Sequence, residues 1–148
     1  MNINDIISAD YSIYRRWFER SLDLIWRLPA ELRIRADPMA ELSKIEEKSP
    51  SRAANSLFTG IKDTIAMTDR YSENDIISVD KILEMEDLPS LTSIRTAFSK
   101  EVSNIINSGL IKSDEEYYTL KSLEDCDLPV YAKEQLNKII GVYEADRY

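Results

Sequence analysis

Between Ser113 and Asp127 the chain reads SDEEYYTLKSLEDCD, which sets Asp114, Glu115, Glu116, Glu124, Asp125 and Asp127 around Tyr117 and Tyr118. Carboxylates gathered like this can do three kinds of chemistry. Two facing each other across a cleft act as acid and base on a glycoside. Several from separate elements hold Mg²⁺. A field of them binds a cationic surface. The rest of the reactive inventory weighs on the choice. There is no histidine, which removes the commonest general base and metal ligand and every Ser–His or Cys–His dyad. The one cysteine, Cys126, cannot build a structural zinc site. With acidic neighbours and no cation beside it to favour a thiolate, it reads as a small packed side chain. LFTGIKDT, residues 57–64, has a single glycine before its lysine and lacks P-loop spacing. The acidic runs lack the central glycine and alternating ligands of an EF-hand. The expectation is a non-enzymatic protein with no cofactor and no metal site, whose carboxylates serve recognition. Carboxylate-only catalysis, with or without Mg²⁺, is the competing enzymatic reading.

Charge placement sharpens this. The net charge is −8, yet residues 1–72 carry 11 acidic and 11 basic side chains. Residues 73–127 carry 13 acidic and 5 basic, so the whole imbalance lies there. A one-signed field steers a basic protein partner and repels nucleic acid and anionic membranes. The arginines of the first 35 residues (Arg15, Arg16, Arg20, Arg27, Arg33 and Arg35) are offset by Asp5, Asp10, Glu19, Asp23 and Glu31. They read as a helix laced with ion pairs rather than a nucleic-acid patch.

These side chains need elements to hold them. The spacing of Tyr14, Trp17, Phe18, Leu22, Ile25 and Leu28 predicts a helix over 11–28, stopped at Pro29. Asp37-Pro38 and Ser49-Pro50 each open a further helix, over 38–47 and 50–69. Gly60 inside the second costs about 1 kcal/mol against alanine and leaves room for a close crossing. A short helix capped by Ser78 is expected before Leu88-Pro89. Ser90 then caps a helix over 91–107 that stops at Gly109. Ser113 caps the acidic helix, with Glu116 completing a capping box. A last helix runs over roughly 130–145. LRIRA at 32–36 is the only strand-like piece. The expected fold is all-α, one compact domain over 1–148 with six or seven helices. A lone cysteine points to a reducing compartment. With no signal peptide and no long apolar run, the reading is a soluble cytoplasmic protein.

On the acidic helix the first-turn acids have a local explanation, since the helix dipole favours them there. Tyr117, Leu120 and Leu123 share a face and are expected to pack inward. Tyr118 falls on the other side with Asp114, Ser122 and Asp125, either as a contact anchor or as a half-buried ring with its hydroxyl in water. Glu124, Asp125 and Asp127 fall at the helix end, where the dipole disfavours them. With Asp80, Glu84, Glu86 and Asp87 they can form one negative surface.

The run IINSGLIKSDEEYYTLKSLEDCDLPVYAKEQLNKIIGVYE resembles a C-terminal pattern of small bacterial proteins. In character the chain also resembles the acidic helical immunity proteins with which bacteria block their own nuclease toxins, although it is longer and its elements run in a different order. Tyr117 and Tyr118 beside Asp114, Glu115 and Glu116 carry that likeness. The resemblance implies an inhibitor that covers the basic active-site face of a toxin domain. The expected partner-binding residues are Asp114, Glu115, Tyr118, Asp125 and Asp127, with Glu84, Glu86 and Asp87 as a second patch. Two other binding readings stand beside it. One is an acidic DNA mimic that regulates a nucleic-acid-binding protein, which needs carboxylates spaced like phosphates. The other is a helical scaffold subunit, which needs an exposed apolar patch.

Overall fold

The computed structural model describes residues 2–147. Among them the chain is helical throughout, with no strand. It forms α1 (Ile3–Ala9), α2 (Tyr11–Ser21), a π-helical segment (Leu22–Trp26), α3 (Ala30–Arg35), α4 (Pro38–Lys48) and α5 (Pro50–Met67). Then follow α6 (Glu73–Met85), α7 (Leu91–Ala97), α8 (Lys100–Ser108), α9 (Asp114–Lys121) and α10 (Val130–Arg147). The all-α class holds, but the helices are more numerous and shorter than expected.

Each departure has a local cause. α1 was not anticipated; Asn2 and Asp5 form a full capping box at its start, and Ile3, Ile6 and Ile7 are buried. LRIRA is helical rather than extended, and Leu32 and Ile34 both point to solvent, so no strand face was there to bury. α6 begins at Ser72, not Ser78. Ser72 accepts from the Asp75 N–H while Asp75 accepts from the Ser72 N–H, and Ser78 merely bonds back to the Asn74 carbonyl. The expected helix over 91–107 breaks at Phe98, where Ser99 starts α8 by accepting from the Val102 N–H. The break seats Phe98 in the core, edge-on to Tyr14 and tilted against Phe58.

The buried side chains form one hydrophobic cluster running from Ile3 to Ile140. In its first half α5 is the hub, packing on α1, α2 and α4. A Cβ at Gly60 would lie 2.8 Å from the Phe18 ring, so the glycine is what lets α2 come this close to α5. In the second half α7 packs on α6 and α8, α9 on α8 and α10, and α10 returns to α1. Trp17, fully buried, donates its indole N–H to the Pro89 carbonyl at 3.0 Å and so ties α2 to the α6–α7 turn. The arginines of α2 reach across to other helices more than along their own. Arg15 meets Glu46 on α4, and Arg20 grips both oxygens of Glu86 at 2.8 and 2.9 Å.

Candidate functional site

Two groups of the predicted contact residues emerge, in different surroundings. The first is on α9. Ser113 caps it by accepting from the Glu116 N–H. The capping box is only half formed, because the Glu116 carboxylate takes the Lys112 N–H instead. Leu120 and Leu123 are buried, and Tyr117 is half-buried and stacked on Tyr143 of α10 with centroids 5.0 Å apart. Tyr118 sits edge-on to Tyr117 and is 68% exposed. The surrounding charges are largely compensated. Asp114 pairs with Arg147 at 2.6 Å and accepts the Tyr143 hydroxyl. Lys121 lies 3.1 Å from Glu124 and 3.3 Å from Glu144, and those bonds hold its pKa above the ordinary value. Arg147 and Lys121 also lie over the Tyr143 and Tyr117 rings. Tyr118 therefore stands on a braced aromatic platform, ringed by ion pairs rather than by bare carboxylates. Glu115 beside it makes no ion pair among the described residues.

The second group is a cleft of about 310 Å³ between the α6–α7 turn and the α9–α10 connection. Glu84, Asp87 and Asp127 stand at its walls, and Ile13, Leu88, Pro89, Leu128 and Pro129 supply the apolar surface. The turn is a Schellman motif: the Leu88 N–H bonds the Leu83 carbonyl at 3.0 Å and the Asp87 N–H bonds that of Glu84 at 3.1 Å. Asp87 occupies the left-handed position with φ 57°, where glycine is usual. Glu84 and Asp87 are exposed and have no basic partner among the described residues.

Three predicted contact residues turn out to be tied inside the molecule. Asp127 is not a stray acid at the end of α9, which stops at Lys121. It accepts from the Ser90 N–H at 3.2 Å and from the hydroxyls of Ser90 and Ser93, and so caps the start of α7 from another part of the chain. Glu86 is held by Arg20, and Asp114 by Arg147 and Tyr143. Asp80 likewise accepts from Thr92 on α7. Among the described residues Glu84, Asp87, Glu115, Asp125 and Tyr118 make no such ties. The residues that brace α9, namely Tyr143, Glu144 and Arg147, escaped the sequence reading because the charges of the last segment balance and drew no notice.

No known protein family, curated protein or solved structure matches this chain. Among the described residues no group of three or more Asp, Glu, Cys or His side chains is arranged to hold a metal ion. No helix among them is long and apolar enough to cross a membrane.

Proposed function

We propose that this chain is a non-enzymatic inhibitor that binds a basic protein surface, most concretely a cytoplasmic immunity protein that covers the active-site face of a toxin domain such as a nuclease. The observation that carries the reading is the cleft at the α6–α7 turn. Glu84 and Asp87 line it with no cation of their own, over an apolar floor suited to the stem of a lysine or arginine. Carboxylates on one cleft favour a partner that brings a cation to it. Tyr118 supplies the aromatic anchor that interfaces favour, and Glu115 and Asp125 extend the negative field. Glu86, Asp114 and Asp127 act from behind by fixing the elements.

The test is co-purification with the product of the adjacent reading frame, followed by titration calorimetry of that complex at low salt. Reversing Glu84, Asp87 and Asp125 to lysine is expected to weaken binding at least about a hundredfold, roughly 2.7 kcal/mol, with most of the early loss in the association rate. Unchanged affinity in the folded triple variant overturns the reading, as does the absence of any complex.

A further inference from the structure

A second concavity lies away from both groups, where the end of α1, the first turn of α2, the last turn of α4 and the start of α5 meet. It measures about 490 Å³ and is lined by Ser8, Tyr11, Glu46, Pro50, Ser51 and Ala53. That is within the range of small-molecule sites, roughly 300–1,000 Å³. Most of its wall is hydrocarbon; beside the hydroxyls of Ser8, Tyr11 and Ser51, Glu46 is the charged group among the lining residues. The Tyr11 hydroxyl donates to Glu46 Oε2, and Arg15 Nε donates to the same oxygen at 2.8 Å. Arg15 is itself anchored on the Ser43 hydroxyl at 3.1 Å. Both bonds converge on Oε2, so Glu46 Oε1 has no donor among the described residues. Burial pushes the Glu46 carboxyl upward, but the bonds from Arg15 and Tyr11 outweigh it and leave its pKa below the usual value. Burial and Glu46 in turn keep the Tyr11 phenol protonated as a donor. The wall thus holds one fixed, ionised carboxylate, whose Oε1 has no donor among the described residues, beside a mostly apolar hollow.

We propose that this cavity binds a small organic molecule with a ring-sized apolar body and an N–H donor, of the arylalkylamine class, whose donor is accepted by Glu46 Oε1. The site is independent of the acidic cleft and does not rest on the proposed inhibitor function. An anion is rejected there, because its oxygen would face the carboxylate. The arrangement also makes a swap of specificity. In Glu46→Gln the amide oxygen keeps the bonds from Tyr11 and Arg15, so the amide N–H₂ takes the place of Oε1 and turns an acceptor into a donor.

The experiment is an amide ¹H–¹⁵N shift titration of the whole chain with benzylamine, and in parallel with benzoate. Benzylamine is expected to give saturable millimolar shifts at Ser8, Tyr11, Glu46, Ser51 and Ala53, and benzoate none. Glu46→Gln should bind benzylamine at least about tenfold more weakly, about 1.4 kcal/mol, and should gain benzoate shifts. Ser51 is exposed, so Ser51→Trp blocks the mouth without entering the core and should abolish the shifts at unchanged thermal stability. The proposal is overturned if benzylamine gives no saturable shifts, if it binds folded Ser51→Trp as well as the parent, or if Glu46→Gln binds it undiminished.

Discussion

Asp87 is where the demands of folding and of surface chemistry conflict. A left-handed backbone costs most L-residues about 1–2 kcal/mol, less for aspartate, and glycine escapes it. Asp87→Gly is therefore expected to raise stability by about 0.5–1 kcal/mol in denaturant titration, while weakening capture of a basic partner. A stabilised variant that binds as before removes Asp87 from the interface. Glu46 and Tyr11 contribute to the pH response, and Tyr14, raised by its burial, adds to the alkaline side. The folded pKa of Glu46 is lowered, so its contribution is present above the unfolded value of about 4.3 and is lost as pH falls through the folded one. Tyr11 is raised, so its contribution is whole below about pH 10 and is lost as pH climbs beyond that value. Melting temperature followed against pH should fall at both ends, and Glu46→Gln should flatten the acid limb. The sequence could not show this pair: Arg15 and Glu46 are 31 positions apart, with the π-helical segment and α3 between them.

At the scale of elements, the legible signals were those carried by neighbouring residues. Asp37-Pro38, Ser49-Pro50, Ser113 and Gly109 each mark the boundary where the structure has it. Boundaries set by packing were not legible. Phe98 leaves its helix because Tyr14 and Phe58 offer it a place, and those partners are 84 and 40 positions away. α6 starts at Ser72 because Asp75 stands three residues on and closes a full capping box, whereas Ser78 has Lys81 in that place. The crossing of α2 and α5 gives a direct test. Gly60→Ala gains helix propensity of about 1 kcal/mol, but its methyl meets the buried Phe18 ring, and overpacking of this kind costs about 1–3 kcal/mol. The expected net result in a denaturant melt is destabilisation, with Phe18→Leu in the same chain recovering part of it. A more stable Gly60→Ala would mean that α2 can move off α5 freely.

For the whole molecule, the surplus charge lies in 73–127, but its use was not legible there. Asp75, Asp80, Glu116 and Asp127 are spent on backbone N–H groups at helix starts. Glu86, Asp114 and Glu124 are spent on cations. What reads along the chain as one acidic surface is in three dimensions a set of fasteners; among the described residues Glu73, Glu84, Asp87, Glu101, Glu115 and Asp125 are left over. Caps borrowed from distant segments cannot be told from free acids by composition, because the donor they satisfy is tens of residues away.

The bond from Trp17 to Pro89 also equips the chain with an optical gauge. Trp17 is wholly enclosed, whereas Trp26 is half-buried and donates to Thr64 at 2.8 Å. One indole senses the join between α2 and the turn that carries Asp87, and the other senses the π-helical end against α5. With Trp26 replaced by phenylalanine, the remaining emission follows that single join. Loosening of the turn when a partner arrives could then be watched by its colour, apart from any melting of the rest.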